Sequence, residues 1–415
     1  HRVVANGTPL EDRFDNVAKA ASRGGYDPVL FGYTDQGIDP STVMSVDDPR
    51  LLTYEGVLPG FTAVLPLDGR QEGWVEHLVD LGYDVTSGYQ ALETESSRPA
   101  EHSVSSFLTS GLLEWIEGSE APWFAHASYI RPHPPYSAAG EYSTMYDNCP
   151  VEEPIPVGDD LHGLHQIALT IPGIAAPTDP AEMEALIRQY FGMVSEVDAQ
   201  VGRILDHLQE REVLDDTVII VTSDHGEQLG DHGLLEKLGF FEQSYRIPCI
   251  ISDPTRTDLH GSTVGAFTEN VDIFPTILDL LSAEPSVQCD GRSLVPFLEG
   301  VTPSSWRTAA HYEWDWRYLL LGDHRVGGPI DGRLEQCNLV VHRTSSHAYV
   351  VFGDGETLLF DVKADPTWRT TVNDPVVELK FARELLQWRS NHLGGSYTHM
   401  LLSPEREGRW PALLE

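Results

Sequence analysis

Residues 217–254 read TVIIVTSDHGEQLGDHGLLEKLGFFEQSYRIPCIISDP. The opening run, Thr217 to Thr222, is β-branched and apolar and follows the turn residue Asp216, which is the pattern of a short strand buried on both faces. Ser223, Asp224, His225, Gly226 and Glu227 come directly after it, so a carboxylate and an imidazole stand at a strand's carboxyl end, where open α/β sheets bind ligands. Adjacent Asp and His on such a turn can both reach one cation, with Gly226 relaxing the backbone that follows. Lys237, thirteen residues after Asp224, is one of only four lysines, beside Lys19, Lys363 and Lys380. A flexible point charge in this loop suits an anionic substrate. Taken singly, Asp224 reads as a helix cap, His225 as a buried imidazole and Lys237 as a solvated side chain; their joint placement behind one strand favours a site.

Upstream, Pro180 to Val213 is the longest helical pattern, with Leu186, Tyr190, Met193, Val194, Val197, Val201, Ile204, Leu205 and Leu208 on one apolar face, and it leads through Asp215 and Asp216 into the strand. That is a helix-to-strand unit. Earlier units repeat the theme: a helical pattern over 10–25 precedes the strand YDPVLFGYTD (26–35), and a helix over Val104 to Gly118 precedes APWFAHASYI (121–130). The second of these strands ends in RPHPPY (131–136), where His133 is held between prolines. Downstream, VDIFPTILDLLSAEP (271–285) reads as a helix with Pro275 in its first turn or at a kink. Residues 41–97 and 137–180, rich in Gly, Pro or Asp, read as surface excursions, with His162 and His165 as surface residues. From Cys337 the pattern changes to short alternating strands, CNLVVHR, HAYVVFGDG and ETLLFDVKADP, closed by a helix over 375–392.

The runs SDHGEQLGDHGLLEK (223–237) and FFEQSYRIP (240–248) resemble the C-terminal motif of the sulfatase branch of the alkaline phosphatase superfamily, most of all its phosphonate monoester hydrolases and arylsulfatases. The resemblance implies that Asp224 and His225 bind one divalent cation and that Lys237 holds the transferred sulfuryl or phosphoryl oxygens. It also implies that His133 faces the leaving group as a general acid, and that Asn6, Tyr33 and Thr34 line the substrate pocket, although Asn-Gly and Tyr-Thr are equally ordinary turn chemistry. Ca²⁺ or Mn²⁺ is favoured if the remaining ligands are carboxylates, because hard oxygen sites suit hard cations. The fold implied is an alkaline-phosphatase-like α/β domain over residues 1–310, its sheet flanked by helices, with a smaller antiparallel β subdomain over 311–415.

In that family the nucleophile lies in a Cys-x-Pro-x-Arg or Ser-x-Pro-x-Arg segment and is converted to formylglycine. None of the four cysteines, and none of the serines, is read as standing in such a segment. Residues 1–9 resemble a stretch shortly downstream of it, so the nucleophile and further metal ligands are expected upstream of residue 1, and residues 1–415 alone are expected to be inactive. The reading is a metal-dependent hydrolase of phosphonate monoesters, phosphodiesters or sulfate esters. Its rivals are a two-metal phosphatase or phosphoglycerate-mutase-like enzyme, which needs more Asp and His ligands, and a non-catalytic metal-binding scaffold.

Composition bounds the partners. A hydrophobic fraction of 41% marks a globular protein, and no apolar run reaches the length of a membrane span. The net charge of −37 disfavours nucleic acid and anionic membranes, and suits a surface adapted to high salt. A small anionic ester would be repelled at long range, so its site needs concentrated local positive charge, which a metal and a lysine supply. Four scattered cysteines show neither zinc spacing nor a disulfide framework, and Cys249 reads as a core residue. Cytoplasmic location and homo-oligomeric assembly complete the expectations.

Overall fold

The computed structural model describes residues 8–10, 14–51, 55–120, 122–284, 286, 288–317, 334–392, 401–402 and 408–409, so Asn6 lies outside the described residues. In chain order the main elements are α1 (Val17–Arg23), β1 (Asp27–Gly32), β2 (Thr62–Pro66), α2 (Glu72–Asp80), α3 (Gly88–Glu93), α4 (Val104–Gly118), β3 (Trp123–Ala127), α5 (Gly163–Ala168) and α6 (Pro180–Glu210). They continue with β4 (Ile219–Thr222), α7 (Glu242–Tyr245), β5 (Cys249–Ser252), α8 (Ile273–Leu280), α9 (Val295–Leu298), β6 (Ala309–Asp315), β7 (Asn338–Thr344), β8 (His347–Phe352), β9 (Thr357–Asp361) and α10 (Pro375–His392). Two compact units emerge, one of residues 1–152, 179–218 and 277–286, the other of 153–178, 219–276 and 287–415.

In the first unit, β1 is flanked by β2 and β3 in a parallel sheet, with Leu30 opposite both Ala63 and His126. Five consecutive residues of β1 after Asp27 are buried, as expected of a parallel strand covered on both faces. Asn16 starts α1 by accepting a hydrogen bond from the Lys19 amide, which is why that helix begins seven residues later than the pattern from Leu10 suggests. The stretch 41–97 is not a structureless excursion: β2 pairs with β1, and α2 buries Trp74 and Leu78 one helical turn apart. In α4, the bounds and apolar spacing are those of the sequence, and Trp115 meets Phe31 of β1 edge to face at 5.9 Å.

Asp179 caps α6, with Pro180 in the first turn. Its buried positions include Met183, Ile187, Met193 and Leu208 but also Glu196, while Val194 is exposed, so the buried stripe is rotated from the face the sequence suggests. Glu196 is fully buried. Burial, reinforced by the charge of Glu95, pushes its carboxyl up to about 7 against the pull of Ser103, Arg131 and Ser105. A carboxyl raised in the folded state contributes stability that is complete below its unfolded range, near 4.5, and is lost as pH rises through about 7. Glu196→Gln is therefore expected to gain on the parent by about 2–3 kcal/mol between pH 5 and pH 8 in denaturant unfolding. Parallel pH–stability curves for the two proteins would contradict this.

In the second unit, β4 pairs only with β5 among the described strands, antiparallel, with Ile219 opposite Ser252 and Thr222 opposite Cys249. A two-stranded pair cannot cover its own faces, so β4 is half-buried rather than buried on both sides, and Cys249 is exposed rather than a core residue. Strands β6, β7, β8 and β9 form an antiparallel sheet in sequence order. Successive residues of β7 point to opposite faces: Leu339 and Val341 pack with Phe240, Phe352, Phe360 and Leu164, while Val340 packs with Tyr349, Leu359 and the α10 residues Phe381 and Leu385.

His162 and His165 are buried, not superficial. The His162 ring stacks on Phe352 at 3.6 Å and accepts the Leu164 amide at the start of α5, and His165 Nε2 meets the His232 carbonyl at 2.9 Å. Gly291 serves close packing, since a Cβ there would lie 1.9 Å from the Val271 carbonyl oxygen, and the Arg292 amide donates to Asp272.

Candidate active site

Asp224 and His225 emerge from the end of β4 side by side. His225 Nδ1 lies 2.8 Å from the Gly226 carbonyl, which can only accept, so Nδ1 carries the proton and Nε2 is the nitrogen left to bind a proton or a metal. Nε2 sits 3.4 Å from Asp224 Oδ2, with the Asp224 side chain 78% exposed. A nitrogen lone pair and a carboxylate oxygen this close are the donor types that a shared cation takes. The turn is braced: Asp224 Oδ1 accepts the His225 amide at 2.9 Å, the Ser223 hydroxyl donates to the His225 carbonyl at 2.6 Å, and Asn270 donates to the Asp224 carbonyl at 3.0 Å. Among the described residues no group of three or more His, Cys, Asp or Glu could hold a metal. The pair thus fits two positions of a metal site and does not complete one.

Gly226 serves close approach rather than loose backbone: a Cβ there would meet the Gln243 carbonyl oxygen at 2.0 Å, and its amide donates to the Ser244 carbonyl at 2.8 Å. Two residues on, the Gln228 amide donates to the Glu236 carbonyl at 2.7 Å, which ties the neighbour of Lys237 to the loop leaving the Asp224–His225 turn. Leu234, Leu235, Leu238, Phe240 and Phe241 are buried around it, and the Leu235 amide donates to the Ile174 carbonyl at 2.7 Å. The backbone of Lys237 is therefore fixed while its side chain, 31% exposed, lies 3.5 Å from Glu236. His232, stacked on Phe241 at 3.5 Å, is held neutral by burial, its proton affinity lowered to about 3.

The first unit carries His133, Tyr33 and Thr34. His133 Nδ1 donates to the Pro134 carbonyl at 2.9 Å, which places a proton on Nδ1 and fixes the ring. Arg131, absent from the sequence reading as a functional residue, is buried beneath this loop in an ion pair with Glu95 whose side chains are both fully buried. Removing one partner of such a pair costs about 3–5 kcal/mol. Tyr33 follows β1 and lines a small cavity with Ser128, Tyr129 and Ile130. The Thr34 hydroxyl donates to the Gly56 carbonyl at 2.8 Å and accepts the Leu58 amide at 2.8 Å, so it clamps the 56–58 segment.

The serine form of the nucleophile segment does occur once, at Ser252-Asp253-Pro254-Thr255-Arg256, a match the sequence reading passed over. The structure makes it a closed turn. Asp253 is buried and accepts both the amide and the hydroxyl of Thr255 at 2.9 and 2.7 Å, and Arg256 is spent on Asp253 and Glu299. Ser252 itself ends β5 opposite Ile219.

Comparison with known proteins identifies the family. The Sulfatase family matches residues 2–283, and the family described as N-sulphoglucosamine sulphohydrolase, C-terminal, matches residues 230–387. The multifunctional alkaline phosphatase superfamily protein PehA of Trinickia caryophylli is 34% identical over 98% of this chain and 85% of its own. The phosphonate monoester hydrolase of Agrobacterium radiobacter superposes with a TM-score of 0.86 at 37% identity, covering 99% of this chain and 87% of its own. The phosphonate monoester hydrolase SpPMH of Silicibacter pomeroyi does so with a TM-score of 0.84 at 31% identity, covering 100% and 87%. By these matches, and by its parallel sheet flanked by helices and its four-stranded antiparallel sheet, the chain belongs to the sulfatase family of the alkaline phosphatase superfamily and is a hydrolase.

Proposed function

We propose that the protein hydrolyses phosphonate monoesters, phosphodiesters or sulfate esters with the help of one divalent cation, Ca²⁺ or Mn²⁺, and a formylglycine nucleophile supplied by chain outside residues 1–415. The observation that carries this reading is the Asp224–His225 pair, two cation donors 3.4 Å apart, on a loop that is hydrogen-bonded to the neighbour of Lys237. Support for the substrate class comes from the phosphonate monoester hydrolases it resembles. When bound, the cation supplies Lewis-acid polarisation of the ester oxygens. Lys237 holds the non-bridging oxygens as charge gathers on them. His133 delivers a proton from Nε2 to the departing oxygen, its ring held by the Nδ1 bond to Pro134. Tyr33 and Thr34 border the substrate, and Asn6, which lies outside the described residues, has the same role by resemblance.

Charge separates this reading from a two-metal phosphatase. One cation and one lysine match a transferring group with a single negative charge, whereas a phosphate monoester dianion calls for a second metal. The natural full-length protein, assayed with phenyl phenylphosphonate, bis(4-nitrophenyl) phosphate, 4-nitrophenyl sulfate and 4-nitrophenyl phosphate, is expected to turn over one or more of the first three faster than the last. A hydrazide probe should label it on a peptide outside residues 1–415, and Ser252→Ala should leave turnover unchanged. Preference for the dianionic monoester would replace this reading with the two-metal one, and loss of turnover in Ser252→Ala would place the nucleophile in that turn.

A further inference from the structure

The guanidinium of Arg131 has five N–H donors, and the structure accounts for all of them. Nε donates to Glu95 Oε2 at 2.8 Å, Nη1 to the carbonyls of His133 and Pro135 at 2.9 and 2.7 Å, and Nη2 to the Leu92 carbonyl at 2.8 Å, to Glu95 Oε2 and, at 3.3 Å, to the Ser137 carbonyl. Three of those acceptors lie in the five residues 133–137, so one planar group sets the course of the loop from His133 onward. Its counterion is fixed in turn: Glu95 Oε1 accepts the Val104 amide at 2.8 Å at the start of α4, and the Ser96 amide donates to Ser137 Oγ at 3.0 Å. A fully buried arginine with every donor committed cannot bind a substrate anion.

We infer that Arg131, held by Glu95, is a positioning residue for proton delivery: by gripping the main chain at His133, Pro135 and Ser137 it aims His133 at the leaving-group oxygen. The inference rests on the proposed role of His133 and goes beyond it by assigning a device that acts only through that histidine. Lysine cannot substitute, because one ammonium has three donors and no planar fork to span the carbonyls of His133, Pro135 and Ser137 while also pairing with Glu95.

The test is a double-mutant cycle in the natural full-length protein, read with two esters of the same acid: 4-nitrophenyl, whose departing anion is stable, and an alkyl alcohol, whose departing oxygen needs a proton. His133→Ala should lower kcat for the alkyl ester by about 10²-fold or more and barely affect the nitrophenyl ester. Arg131→Lys should show the same selectivity to a smaller degree, roughly tenfold or more on the alkyl ester, and should cause no further selective loss in the His133→Ala background. If Arg131→Lys does not fold, Glu95→Gln, which keeps an acceptor while removing the charge, takes its place in the cycle. Equal losses on both esters, or a selective loss that persists without His133, would reduce Arg131 to a structural residue and overturn the inference. An unselective His133→Ala would remove the role of His133 and this inference with it.

Discussion

Replacing Lys237 with Ala is expected to lower kcat by roughly 10²–10³-fold while KM changes by less than about tenfold. The protein carries a net charge of −37, so its long-range field repels an anionic ester, and only charge at the point of reaction can offset that. Screening confines the effect: at physiological salt the Debye length is about 8 Å, which makes Lys237 a local device rather than a steering group. The flanking residues Leu235 and Leu238 are buried, and the Gln228 amide binds the Glu236 carbonyl, so the lysine's backbone is already in place before substrate arrives. Only the side chain has to leave Glu236, 3.5 Å away, for the transferring oxygens. An interaction that strengthens as charge builds in the transition state appears in kcat, whereas one made equally with bound substrate appears in KM. A rise in KM alone would mean that Lys237 recruits substrate and leaves the chemistry to other groups.

What could be read from the sequence was what is written locally. The β-branched run before Ser223 marks β4, the apolar spacing of α4 and α10 yields both helices with their observed bounds, and the alternation after Cys337 yields β7 to β9. Asp224, His225 and Lys237 draw attention in the sequence because one short stretch after β4 carries all three. The unread features depend on distant partners. Arg131 looks like a loop arginine between a strand and a proline until Glu95, thirty-six residues earlier, is seen to bury it. The role of Gly226 is set by the Gln243 carbonyl, and the burial of His162 by stacking on Phe352 across a long sequence separation. In β2 and α2 each element is short and only two residues of α2 are buried, which is too little pattern to stand out in a Gly- and Asp-rich stretch. The match at Ser252 errs the other way: its spacing is right, but Asp253 closes the turn on Thr255 and Arg256.

Asp224→Asn is expected to weaken Ca²⁺ or Mn²⁺ binding by at least about 10²-fold and His225→Ala by about 10–100-fold, because a carboxylate contributes charge as well as a donor atom. The effect should be readable without any turnover. A cation present at a hundredfold excess over its dissociation constant stabilises the folded protein by about 2.7 kcal/mol, so titrating metal into chelator-treated natural protein should raise its unfolding midpoint, and Asp224→Asn should abolish that rise. His225→Gln provides the control for geometry. An amide can donate to the Gly226 carbonyl but offers no imidazole nitrogen 3.4 Å from Asp224 Oδ2, so it should fall nearer to His225→Ala than to the parent. Asp224 is largely exposed and its main chain is held by Asn270, so neither substitution should disturb the fold in the absence of metal. A metal-dependent rise in midpoint that survives both Asp224→Asn and His225→Ala would show that the cation binds elsewhere and that this turn is an ordinary braced corner at the end of β4.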